Sequence, residues 1–128
     1  MALLQISEPG QSTLPHQHKL AVGIDLGTTN SLVATVQSGM PLILKDQDGK
    51  SLIPSIVYYG KKEIKVGHEA LNYLSTDAKN TIVSVKRFMG HAQSDIQYKE
   101  SLPYDFEETN QDIQFKTEQG LKHPIEIS

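Results

Sequence analysis

Between Leu20 and Leu44 the chain alternates in a way that lays out its first elements. Leu20, Val22, Ile24 and Leu26 are apolar and interleave with Ala21, Gly23, Asp25 and Gly27. A period of two with one face of small residues predicts a β-strand. Residues 27–30 (Gly, Thr, Thr, Asn) break the pattern as a hinge, and residues 32–36 predict a second, apolar strand. Ser38-Gly39 then turns the chain into a third strand over 41–44, so a β-meander opens the fold.

Residues 53–59 predict another strand, entered through Pro54, and Gly60-Lys61-Lys62 turns it back towards a strand over 64–66. In "HEALNYLSTD" the spacing becomes helical, with Ala70, Leu71 and Leu74 on one side. "NTIVSVKRFMG" predicts a second short helix, with Thr81 as N-cap, Ile82, Val85 and Met89 as apolar face, and Gly90 as its end. Ser94 and Gln97 have capping-box spacing, which predicts a third helix stopping before Pro103. The alternation of Ile113, Phe115 and Thr117, then Gly120 and the run to Ile127, predicts two or three short strands. The last of these looks cut short, so the expectation is a piece of something larger.

Composition narrows the class. With 128 residues, 38% hydrophobic and 21% charged, the chain has the profile of a globular domain or part of one. A net charge of −3 without a basic stripe argues against nucleic acid as partner. The absence of cysteine removes disulfides, thiolate metal sites and cysteine nucleophiles together. "MALLQISEPG" lacks a basic start and is interrupted by Glu8 and Pro9, unlike a signal peptide, and no apolar run reaches membrane-spanning length. A cytoplasmic protein with no membrane partner is expected. Residues 1–18 read as a flexible extension in which Leu3, Leu4 and Ile6 are candidates for docking. His16 and His18 alone make a weak metal pair, and His68, His91 and His123 are isolated from one another.

Two stretches invite a phosphate reading. Gly49-Lys50-Ser51 ends like a Walker A loop, but Leu44 stands where its first glycine belongs, and Asp48-Gly49 signals a turn. The hinge at 27–30 is the stronger candidate. Glycine lets backbone approach an anion, consecutive amides form a nest, Thr28 and Thr29 add hydroxyls, and Asp25 adds a hard oxygen suited to magnesium. By residue type alone the hinge fits a phosphate loop or an ordinary tight turn equally. Lys86, beside Arg87, could project into a nucleotide site or lay its stem on the core, and a lone lysine favours the second.

A family resemblance changes that balance. "GIDLGTTNS" resembles the first phosphate motif of the seventy-kilodalton heat-shock chaperones, within the actin and sugar-kinase ATPase superfamily. "DGKSLIPSIVYY", centred on Pro54-Ser55, resembles that family's entry into subdomain IB, and "VGHEALNYLSTDAKNTIVSVKRFMG" resembles its VG…NT…KR..G block. These segments share one register over most of residues 21–90. The extended start, with "SDIQ", "LPYDF" and "GLKHPIEIS", is similar to the branch devoted to iron–sulfur cluster assembly.

The resemblance implies an α/β fold, α+β-like in this chain: part of lobe I of an actin-like (ribonuclease H-like) ATPase, with a mixed β-sheet and short helices. Residues 1–18 would be an extension, and residues 19–128 a partial nucleotide-binding domain, the start of subdomain IA plus much of IB. ATP or ADP and Mg2+ are the implied cofactors. Gly27, Thr28, Thr29 and Asn30 would hold the phosphates, with Thr28 near the γ-phosphate, and Asp25 would reach Mg2+ through water. Lys86 would orient the hydrolytic water, and Arg87 matches a family arginine of open role. An iron–sulfur scaffold protein as client and a J-domain co-chaperone are the implied partners. The family's second phosphate loop, adenosine site and peptide-binding domain lie downstream of these segments, so the 128 residues alone should bind ATP poorly. A general chaperone of the family, a sugar-kinase-like phosphotransferase and a non-catalytic fragment are the alternatives. A sugar kinase would share the DxGT loop but lack the Pro54-Ser55 and Lys86-Arg87 blocks.

Overall fold

The computed structural model describes residues 21–107 and 112–128. The expectations for the 1–18 extension, for the docking of Leu3, Leu4 and Ile6, for His16 and His18, and for Leu20 as a strand residue lie outside the described residues.

The meander forms as its alternation requires. Strand β1 (Val22–Leu26) pairs with β2 (Asn30–Gln37), and β2 with β3 (Met40–Ile43), both antiparallel. The β2–β3 connection is the two-residue turn Ser38-Gly39, with φ of 52° and 76°. Two positive φ values in succession match the right-handed twist of the strands they join. Several apolar side chains of this sheet stay open: Ile24, Met40 and Val36 are all exposed. At 46–50 the chain makes a turn and no phosphate loop. Asp46 Oδ1 accepts from the amides of Asp48 (2.9 Å) and Lys50 (2.8 Å), and Gly49 takes a φ of 79°.

The single strand expected over 53–59 is divided. Strand β4 (Ile53–Pro54) pairs with β2, whereas β5 (Ile56–Tyr59) joins a second sheet between β6 (Ile64–Val66) and β7 (Thr81–Val83). Ser55 is the break. Pro54 has no N–H to give a ladder, and the Ser55 amide turns to the carbonyl of Thr29 at 2.8 Å.

Helical periodicity overstates the helices. The first reduces to a 3₁₀ turn, Ala70–Tyr73, which buries Ala70 and leaves Leu71 and Leu74 exposed. Thr81 is no N-cap: with Ile82 and Val83 it forms β7, its hydroxyl donating to the Asp77 carbonyl at 2.7 Å. A β-branched run lying beside a free strand edge is better satisfied in the ladder than in a helix. Only Val85–Phe88 turns, as 3₁₀, after a left-handed Ser84, and Phe88 rather than Met89 is buried. Gly90 ends the segment at φ 73°. The third helix resolves into two 3₁₀ turns, Gln93–Asp95 and Lys99–Ser101, parted by a left-handed Tyr98. Asp95 caps the first of them, its Oδ2 accepting from the Ala92 amide at 3.0 Å, in place of the Ser94–Gln97 pairing.

Strands β8 (Asp105–Phe106), β9 (Phe115–Thr117) and β10 (Gly120–Lys122) form a third antiparallel sheet, and the expected final strand is instead one helical turn, α1 (Pro124–Ile127). Proline at the first helical position and the His123 ring accepting the Ile125 amide start that turn. The core lies between the second and third sheets. Phe115 is fully buried, its ring 5.1 Å from Phe106, 5.2 Å from Phe88 and 5.3 Å from Tyr104, with Ile82, Val85, Ile113 and Ile127 around them. Edge-on aromatic contacts of this kind add to the burial of their area. Among the described residues no helix is long and apolar enough to cross a membrane.

Candidate functional site

The hinge between β1 and β2 closes tightly, and Gly27 is why it can. A Cβ at that position would collide with the backbone carbonyl of Asn30. Any other residue would therefore force the hinge open. Asp25 is exposed on β1, opposite Leu32, two residues before the glycine. Thr28 is half-buried, and Thr29 and Asn30 are exposed.

Three hinge carbonyls are taken up from outside the hairpin. Lys86 Nζ donates to the Leu26 carbonyl at 2.9 Å, across 60 residues of sequence. Ser55 Oγ donates to the Gly27 carbonyl at 2.9 Å, and the Ser55 amide to that of Thr29 at 2.8 Å. A trans peptide sets C=O and N–H in opposite directions, and no peptide in the described residues is cis. Turning the Leu26 and Gly27 carbonyls towards Lys86 and Ser55 thus turns the Gly27 and Thr28 amides the other way. Adjacent amides facing outwards and a hydroxyl on either threonine are suited to an anion, while the Lys86 ammonium lies on the carbonyl side of the same hinge. Asp25 contributes the one carboxylate in the hinge, and among the described residues no three metal-ligating side chains gather into a cluster. A single carboxylate with open surroundings suits a hydrated magnesium better than a protein-made cage.

Lys86 owes its position to the second sheet. Strand β7 carries it to the hinge, and the amide of Val83 donates to the phenol oxygen of Tyr104 at 3.1 Å. Burial raises the Tyr104 phenol above its ordinary value of 10.0, so it stays neutral. A cleft of about 160 Å³ runs beneath, bounded by Gly27, Ser31, Ser55, Val85 and Lys86. Arg87 lies apart from it, lining another cleft with Phe88, His91 and Leu102.

Residues 21–128 match the family model described as Hsp70 protein. The chain belongs to the Hsp70 family. Its antiparallel sheets and short helical turns are the corresponding part of the actin-like ATPase fold of that family. Over 129 aligned positions and the whole of this chain, it is 60% identical to the chaperone protein HscA homologs of Janthinobacterium sp. (strain Marseille) and Herminiimonas arsenicoxydans. Identity to the HscA homolog of Azoarcus sp. (strain BH72) is 55%. The chain spans about a fifth of these relatives' length, 21% in each case. Membership in the Hsp70 family sets aside the sugar-kinase alternative.

Within this Hsp70 segment the structure brings together the hinge and Lys86, and keeps Arg87 away. Sequence reasoning gave no role to Ser55, Ser31 or Ser84, which tie those parts to one another. The signal for Ser55 was present all the same: a proline and a small polar residue interrupting the apolar run from Ile53 to Tyr59.

Proposed function

We propose that this chain supplies one wall of an ATP site in an ATP-dependent Hsp70 chaperone. In this reading Gly27, Thr28, Thr29 and Asn30 hold the phosphates, with Thr28 nearest the γ-phosphate. Asp25 orders the water shell of Mg2+, which, when bound, neutralises charge on the phosphates. Lys86 orients the water that attacks the γ-phosphate and offsets charge developing there. The observation that carries the reading is the ammonium of Lys86, 2.9 Å from the Leu26 carbonyl beside the glycine hinge.

The activity itself, hydrolysis of ATP to ADP and phosphate coupled to client binding and release, is a proposal for a full-length protein. Similarity to HscA homologs supports an iron–sulfur scaffold protein as client, a J-domain co-chaperone as partner, and a cytoplasmic setting. The test uses a full-length hybrid in which the chain replaces the matched segment of the Janthinobacterium relative. Lys86→Ala lowers single-turnover hydrolysis by about 10²–10³-fold, the scale of losing one preorganised electrostatic contact. MgATP affinity stays within about threefold, because the amides of the hinge remain. Wild-type turnover in that variant removes Lys86 from the reaction and the reading with it.

A further inference from the structure

We propose that Ser55 is a positioning residue for hydrolysis, holding the glycine hinge and Lys86 in one geometry. The inference rests on the ATP-site reading above and extends it to a residue outside the hinge.

Ser55 stands where the apolar run from Ile53 to Tyr59 passes from the first sheet to the second. Every polar group it has is engaged across that joint. Its amide donates to Thr29 at 2.8 Å, its hydroxyl donates to Gly27 at 2.9 Å and meets Ser31 Oγ at 3.0 Å, and its carbonyl accepts from the Ser84 amide at 3.0 Å. Two of these bonds face the hinge, and the last faces the start of the turn that carries Lys86. Ser84 is buried and left-handed, with φ 53°, a backbone state that an L-residue keeps only where its surroundings enforce it. Ser55 supplies that enforcement on one side while fixing the Gly27 carbonyl on the other.

The chemistry follows from peptide geometry. Without the hydroxyl, the Gly27 carbonyl loses its donor and the Gly27–Thr28 peptide is free to rotate. The Thr28 amide then no longer points steadily to one side of the hinge, next to the peptide whose Leu26 carbonyl accepts from Lys86. Misorientation of this kind weakens the transition state more than the bound ground state. Ser31, contacting the same hydroxyl from β2, fixes the rotamer of Ser55.

The experiment is a double-mutant cycle in the full-length hybrid. Ser55→Ala lowers single-turnover hydrolysis about three- to tenfold, the effect of one or two lost neutral hydrogen bonds, while MgATP affinity moves less than about twofold. Ser55→Thr, which keeps the hydroxyl, restores most of the rate. Added to Lys86→Ala, Ser55→Ala lowers the residual rate by less than about twofold, because the Thr28 amide that it fixes and Lys86 act as a unit on the same γ-phosphate. If the alanine variant does not fold, Ser55→Cys keeps the volume with a weak hydrogen-bonding atom and must show the same loss. Unchanged hydrolysis with only a lowered melting temperature overturns the proposal, as does full additivity with Lys86→Ala or a threonine variant as slow as alanine. Hydrolysis unchanged in Ser55→Ala but lost in Lys86→Ala sinks this inference alone. Hydrolysis retained in Lys86→Ala sinks the ATP-site reading beneath it.

Discussion

Gly27→Ala adds a single methyl group to the hinge and should disable it. The new Cβ would run into the carbonyl oxygen of Asn30, with the carbonyl carbon at 3.3 Å. Both atoms are backbone, so no side chain can rotate aside. Ordinary contact needs about 3.5 Å, and the hinge must open by on the order of 1 Å to provide it. Three hydrogen bonds depend on its present position: Ser55 amide to Thr29, Ser55 hydroxyl to Gly27, and Lys86 to Leu26, at 2.8, 2.9 and 2.9 Å. Such an opening stretches each towards the limit of a hydrogen bond. At about 1 kcal/mol apiece the closed hinge loses about 2–3 kcal/mol, or about 30- to 150-fold in any binding that requires it. Calorimetric titration of MgATP into the full-length hybrid measures this directly. Gly39→Ala is the control: no atom lies within 4 Å of its Cβ position, and only its φ of 76° is penalised. That variant gives up about 1 kcal/mol of stability and leaves MgATP affinity within about twofold. A Gly27→Ala affinity within about threefold of the parent would refute the steric argument.

Phe115→Ala removes the fully buried ring at the centre of the aromatic core and should cost about 3–5 kcal/mol. Urea unfolding of the chain followed by circular dichroism reads the loss, and a cost below about 1 kcal/mol would place the core elsewhere. Asp105 pairs with Lys79 at 2.7 Å, and the hydrogen bond from that ammonium holds its carboxyl below the ordinary 3.8. A depressed carboxyl contributes stability above its ordinary value and loses it as pH falls through the depressed one. The pair's contribution therefore fades below about pH 4, and Asp105→Asn should flatten that acid limb in a melting-temperature profile. Because both groups are exposed, high salt should flatten it equally, and a limb indifferent to both changes would exclude the pair as its source.

The sequence alone determined the meander, its turns and the hinge, because these depend on neighbours a few residues apart. Alternation from Val22 to Leu26 specifies a strand whatever lies around it, and Ser38-Gly39 or Asp48-Gly49 can turn wherever it stands. The pairing of small polar residues with Asp25 was equally visible, although residue types left its purpose open. The tertiary structure decided what spacing cannot. Thr81, Ile82 and Val83 carry a pattern that suits a helix or a strand, and the free edge of β5 settled them as strand. Residues 53–59 read as one apolar run, yet the hinge captured Ser55 and divided them between two sheets. Lys86 could have rested on the core, until a ladder formed by distant residues carried its ammonium to the Leu26 carbonyl. Local propensity sets which conformations a segment can adopt. Which one it takes depends on hydrogen bonds to groups tens of residues away, and those exist only once the chain has folded.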